Sequence, residues 1–205
     1  MDIFSFIEQA FGQYGYVIVF FGAFFESLIG IGLILPGSFI VLFGGYFARM
    51  ELINVYLIGF LAFFGMFLGD LTNYALGKTS FSKYLLKHPR LSGIFNKESQ
   101  ARKQIEKYGM LAIFYSHILG YTRSVICFSA GLIDFPFRQF IITAFIASSF
   151  WGILFVGLGY FLGTTTEGLK DLSTRVTIAA WLVLLAFITL KLLQNFILSS
   201  VMKKK

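Results

Sequence analysis

The sequence predicts an all-α polytopic membrane protein, in which two opposed re-entrant helical hairpins join spanning helices in an inverted repeat. Three observations predict it. The 205-residue chain is 57% hydrophobic and only 13% charged, with a mean hydropathy of +0.78, which excludes an ordinary soluble domain. Its apolar stretches are broken by Gly, Pro and isolated ionisable residues. Its basic residues gather in two regions whose shared sidedness limits how many spans can lie between them.

The first element, residues 1–15, reads as a short interfacial helix carrying Asp2 and Glu8. It lacks a basic leader and a small-residue cleavage site, so no cleaved signal peptide is expected. Residues 16–48 are too long for one upright span and too short for two spans with a turn. Gly30, Gly32, Pro36 and Gly37 break this stretch, because proline removes a helical donor and glycine permits a sharp turn. It is predicted to be a hairpin that turns at Pro36–Gly37 and leaves on the side it entered. Irregular backbone at that depth needs protein or a water-lined cavity around it.

Residues 52–76 form the first clear span, with Asp70 near its end. Residues 77–107 carry eight Lys/Arg and interspersed Phe, Tyr, Leu and Ile, as expected of an amphipathic segment lying on the membrane. Residues 110–133 are apolar but contain His117, Gly120 and Arg123. Residues 140–162 and 177–198 read as two further spans, and Lys203–Lys205 end the sequence.

Both basic regions are expected on the cytoplasmic side. Three full spans between them would put them on opposite sides. If 110–133 is re-entrant, with its turn at Gly120, two spans remain and the conflict disappears. The first hairpin then enters from outside and the second from inside. A single shift in numbering takes Ser38 to Ser124, Gly45 to Gly131, Tyr74 to Tyr160 and Gly77 to Gly163. Inverted repeats with broken helices recur in transporters.

Arg123 is the sharpest candidate for function. An arginine in an apolar segment is costly unless paired or hydrated, and its planar fork suits phosphate or carboxylate. The alternative is a structural ion pair with Glu26 or Asp70. Glu26 has four open roles: pairing with Arg123, carrying a proton, binding a cation, or capping the hairpin near the outer surface. Asp70 reads equally as a site residue or as a solvated one near the span end. On a straight helix His117 and Arg123 would point about 240° apart, and only a break at Gly120–Tyr121 would bring them together. A local Asp134–Arg138 ion pair is expected, and Cys127 reads as a small core residue. One cysteine and two separated histidines give no metal site, and no cofactor is expected. There is no triad, glycine-rich phosphate loop or paired-carboxylate motif, so catalysis has little support. The net charge of +7 reads as basic loops at an anionic leaflet rather than as nucleic-acid binding.

Residues 20–163 resemble the DedA family, the bacterial relatives of the VTT-domain proteins. The resemblance rests on Glu26 followed by Leu35-Pro36-Gly37, and on Gly69-Asp70-Leu71-Thr72-Asn73-Tyr74-Ala75-Leu76-Gly77-Lys78. Phe114 to Arg123 leading into Ala130-Gly131, and Trp151 followed by Gly159-Tyr160-Phe161-Leu162-Gly163, complete it. It implies opposed hairpins and movement of lipids between leaflets. Bacterial members are linked to recycling undecaprenyl phosphate, eukaryotic relatives to phospholipid scrambling, and some members to proton-dependent transport. Glu26 and Arg123 match positions the family treats as functional. The chain departs at Ser38, where many members have an acid, at His117, where many have arginine, and at Cys127, where proline is common.

The expectation is therefore a multi-pass cell-membrane lipid transporter, a flippase or scramblase, with a cytoplasmic C-terminus. Its cargo would be an anionic polyprenyl phosphate such as undecaprenyl phosphate, or a phospholipid. Glu26, Ser38, Asp70, His117 and Arg123 would form the transport site, with Pro36, Gly37 and Gly120 at the turns. Expected partners are anionic membrane lipids and protons, with a homo-oligomer left open. The alternatives are a proton-coupled transporter of a small soluble solute and a non-transporting membrane scaffold; an intramembrane lipid enzyme ranks below both.

Overall fold

The computed structural model describes residues 3–33, 37–79, 92–118 and 123–166. Among them are seven α-helices, one short 3-10 turn and no strand. In chain order the helices are α1 (Ile3–Ser27), α2 (Gly37–Arg49), α3 (Val55–Lys78), α4 (Ser92–Tyr108), α5 (Met110–Ile118), α6 (Arg123–Leu132) and α7 (Phe137–Thr166). Pro36, Gly120, residues 80–91 of the basic segment and the predicted span 177–198 lie outside the described residues.

Residues 1–15 do not form a helix of their own. From Ile3 onward they run straight into α1, which reaches Ser27 with no break near Gly15. The break that follows is spread over several residues. It opens after Ser27, contains the 3-10 turn Ile31–Leu33, and closes where α2 starts at Gly37. Gly30 sits in it at φ +89°, a conformation that suits only glycine.

Among the described residues, two helices are long and apolar enough to cross a membrane, Val55–Lys78 and Phe137–Thr164. They correspond to the predicted spans 52–76 and 140–162. The first starts later than predicted because Asn54 caps it, its Oδ1 accepting from the N–H groups of Tyr56 and Leu57 at 2.9 and 3.1 Å. The outer sides of both carry large apolar side chains in the open, among them Tyr56, Phe60, Phe145, Ile153 and Phe161. Such a continuous apolar exterior fits lipid, not water. By contrast α5 has 9 residues and α6 has 10. At about 1.5 Å per residue neither approaches the roughly 30 Å of a bilayer core.

Helices cross closely where glycine faces backbone. A methyl on Gly45 of α2 would lie 2.2 Å from the Val156 carbonyl oxygen of α7, and one on Gly159 would lie 1.9 Å from that of Leu42. The α3–α6 crossing is built the same way, with Gly77 against Phe128 and Gly131 against Tyr74. These contacts hold two apolar clusters. One gathers Val19, Tyr46, Phe47, Ile58, Met66 and Trp151; the other gathers Tyr74, Ile113, Ile126, Cys127 and Phe140.

The predicted Asp134–Arg138 pair is not what forms. Asp134 pairs instead with Lys78 of α3 at 3.4 Å, because the turn after α6 returns to the end of α3. In that turn Asp134 takes φ +53° and Phe135 N–H donates to the Ala130 carbonyl. The end of α2 repeats the pattern, with Glu51 at φ +63° and Leu52 N–H donating to the Phe47 carbonyl.

Candidate functional site

Between the two apolar clusters, α3 carries a carboxylate. Asp70 lies one turn past Met66 and one turn before Tyr74 and is 0% exposed. Its position near the end of the α3 sequence suggested solvent, but α5, α6 and α7 close over it. His117 at the end of α5 is 4% exposed and Arg123 at the start of α6 is 3% exposed. The interruption between α5 and α6 turns both side chains onto the one carboxylate, as a continuous helix could not.

The contacts are unequal. His117 Nε2 lies 2.8 Å from Asp70 Oδ2, and its Nδ1 lies 3.0 Å from the Ile113 carbonyl oxygen. Ser148 of α7 donates to the same Oδ2 at 3.2 Å. Arg123 Nε stands 3.6 Å from Asp70 Oδ1, within ion-pair range but too far for a hydrogen bond. Neither of those two atoms has a hydrogen-bond partner. The Arg123 terminal nitrogens donate to Ser27 Oγ at 3.0 Å and to the Met66 sulfur at 3.3 Å. The guanidinium carbon sits 5.7 Å from the centroid of the Trp151 ring, a cation–π distance. Of the two carboxylates proposed for it, Arg123 pairs with Asp70.

Glu26 sits at the end of α1, where Ser38 donates a hydrogen bond to its Oε1. Its Oε2 is buried without a hydrogen-bond partner. Backbone presses on it from both sides of the break. A methyl on Gly32 would lie 1.9 Å from the Glu26 carbonyl oxygen, and one on Gly37 would lie 2.8 Å from its Cβ. Among the described residues Arg123 has its ion pair with Asp70 and none with Glu26.

Several participants were not among the predicted site residues. Asn73 of α3 fastens the end of α1: its Nδ2 donates to the Ser27 carbonyl at 2.7 Å, and its Oδ1 accepts from Ile29 N–H at 3.0 Å. Both are backbone groups that a broken helix leaves without partners. Asp70 and Asn73 are three residues apart on one helix face, a pattern that could have been read from Gly69-Asp70-Leu71-Thr72-Asn73. Ser27 and Ser148 lie in runs of apolar residues and carried no such hint.

The arrangement is a dry, charged cluster drawn from α1, α3, α5, α6 and α7, with a second acid beside it. The VTT domain model matches residues 35–161, more than half of the chain. The chain belongs to the VTT-domain family, to which the DedA proteins belong. It is 28% identical to a membrane protein of Synechocystis sp. over 89% of this chain and 82% of that one. It is also 28% identical to protein DedA of Escherichia coli, over 75% of this chain and 71% of that one. A third relative is named undecaprenyl phosphate transporter A, from Bacillus subtilis, at 25% identity over 80% of this chain and 86% of that one. No solved structure matches the chain. The matched VTT region contains Asp70, His117 and Arg123 and ends just beyond the Gly159 crossing.

Proposed function

We propose that this VTT-domain protein moves an anionic, phosphate-bearing lipid between the leaflets of the cell membrane. A polyprenyl phosphate fits the site best and an anionic phospholipid is next. One observation carries the reading. Arg123 is a buried fixed cation whose fork is only partly used: its nearest carboxylate stands 3.6 Å away and its Nε has no hydrogen-bond acceptor. A phosphate oxygen is the ligand such a fork takes in a water-poor site. The name of the Bacillus subtilis relative supports the same cargo.

In this reading α1–α2 and α5–α6 are re-entrant hairpins, related with α3 and α7 as an inverted repeat. The lengths of α5 and α6 support this, and so do the contacts. Tyr74 Oη donates to the Phe135 carbonyl at 2.6 Å, and Arg49 donates to Tyr160 Oη at 3.4 Å. The numbering shift that takes Tyr74 to Tyr160 also takes Arg49 to Phe135, and Gly45 to Gly131. The two hairpins would meet the lipid headgroup in turn, with Arg123 holding the phosphate and Glu26 beside it. The C-terminus would be cytoplasmic.

The test is purified protein in liposomes, following loss of a labelled polyprenyl phosphate or phospholipid from one leaflet. Arg123→Ala should abolish protein-dependent movement. Arg123→Lys, which keeps the charge but loses the fork, should still impair it. Movement unchanged in Arg123→Ala would sink the phosphate role. A scaffold or a soluble-solute transporter would move no lipid at all.

A further inference from the structure

The hydrogen-bond geometry around His117 fixes where hydrogens must be. The Ile113 carbonyl oxygen can only accept, so Nδ1 carries a hydrogen toward it across 3.0 Å. A neutral imidazole would then present a bare lone pair at Nε2. That lone pair would face Asp70 Oδ2 at 2.8 Å, also an acceptor when ionised. Two acceptors do not sit at this distance in a dry site without a hydrogen between them. One hydrogen beyond those of neutral histidine and carboxylate would satisfy both contacts.

We infer that Asp70 and His117 form a proton-binding site, and that its proton decides whether Arg123 can take a phosphate group. The inference rests on the phosphate reading above for the ligand, but not for the proton. With the proton on Nε2, Asp70 is a carboxylate and holds Arg123. When the proton moves from Nε2 to Oδ2, both members become neutral; no other bond changes, and Arg123 loses its counter-ion. A phosphate oxygen can then replace Asp70 Oδ1 at the unpartnered Nε. If the proton leaves altogether, Asp70 stays an anion beside Arg123 and competes with phosphate. Phosphate binding is therefore tightest when the pair is protonated and weakens as pH rises through its titration.

The groups around the pair are few. From α1 comes Glu26, hydrogen-bonded by Ser38; from α6 come Arg123 and Cys127, the latter wholly buried. From α7 come Ser148 and Trp151, neither of which carries a charge. The Arg102, Lys103, Glu106 and Lys107 side chains of α4, which packs on α6, are exposed.

Trp151, in cation–π contact with Arg123, is a built-in reporter, and Trp181→Phe leaves it as the sole tryptophan. Its emission would be titrated with geranylgeranyl monophosphate and, separately, with inorganic phosphate, between about pH 5.5 and about pH 8. Response to the prenyl phosphate alone assigns a lipid headgroup; response to both assigns any phosphate monoester or free phosphate. Relative to Asp70→Asn, which carries the same ligand titration, wild type should lose affinity with rising pH, approaching about tenfold per unit for one linked proton. Asp70→Asn donates its own hydrogen to Nε2 and cannot compete for Arg123. It should bind tightly, with only the pH dependence of the phosphate's own second ionisation, at roughly pH 6. His117→Gln donates to a permanent carboxylate and should bind weakly at every pH.

Nitrogen NMR of His117 in a His88→Gln background reads the proton without any ligand. Wild type should show hydrogen on both ring nitrogens or one shared with Asp70, and Asp70→Asn a bare Nε2. Identical spectra for the two would overturn the proton site. A pH dependence that survives Asp70→Asn but vanishes in Glu26→Gln would overturn it as well. No Trp151 response to either phosphate at any pH would count against the phosphate reading and its coupling, while the spectra still decide the proton.

Discussion

Arg123 donates to Ser27 Oγ across 3.0 Å, tying the first residue of α6 to the last of α1. Ser27 in turn donates to the Ala23 carbonyl at 2.9 Å, and its own carbonyl accepts from Asn73. The two chain breaks are thus held against one another through a serine, with α3 as the common support.

Removing that serine hydroxyl should loosen the contact without opening the fold. Ser27→Ala deletes a hydrogen bond to a charged group, worth about 1.5–3 kcal/mol. A lowered melting temperature in detergent is expected, together with impaired lipid movement. Unchanged stability would mean that Arg123 finds another partner.

Arg123 and Asp70 should behave as a coupled pair, and Arg123 and Glu26 much less so. In double-mutant cycles on stability, Asp70→Asn with Arg123→Gln should show a coupling of about 0.5–3 kcal/mol. The Glu26→Gln cycle with Arg123→Gln should come out closer to additive, since no ion pair joins them. The reverse order would place the counter-ion at Glu26.

The glycine crossings leave no room for a side chain. Gly131→Val would push its Cβ to 2.0 Å from the Tyr74 carbonyl oxygen, and Gly45→Val would do the same against Val156 at 2.2 Å. Each should cost more than the usual 1–3 kcal/mol (roughly) of overpacking, because backbone cannot step aside as a side chain can. Gly59, with open space around it, is the control: Gly59→Ala should fold normally. Expression and gel-filtration profiles of the three variants separate these outcomes.

Glu51 and Asp134 both occupy left-handed backbone at helix ends. Glycine at either should stabilise, by about 0.5–1 kcal/mol. The gain should be larger for Glu51→Gly, since aspartate tolerates that conformation better than glutamate. Losing the exposed Lys78–Asp134 pair in Asp134→Gly should subtract little. Equal melting shifts would argue against the conformational origin.

Sidedness is tested by labelling. Single cysteines at Ser92 and Ser200, in a Cys127→Ser background, should both be shielded from an impermeant thiol reagent outside intact cells. Labelling of only one would remove the reason for a re-entrant α5–α6.

The amino-acid sequence by itself established a helical membrane protein, two spans, the interrupted stretches around Glu26 and Arg123, and the family. Each of these depends on local quantities: apolar length against bilayer thickness, and the effect of Gly, Pro and charge on a helix in lipid. It placed the start of α3 a few residues early because Asn54 is a cap only when the helix behind it forms. It drew a boundary after residue 15 that the continuous α1 does not have, since amphipathic and apolar segments can share one helix. Tertiary structure alone decided which charges meet. Asp70 looked half solvated from its place near a span end, yet it is sealed by α5, α6 and α7. Whether Arg123 faces Glu26 or Asp70 depends on how helices distant in sequence cross, and those crossings are set by the depth to which Gly45, Gly77, Gly131 and Gly159 let backbones approach. That depth follows from contact between two surfaces, which neither segment's residues specify alone.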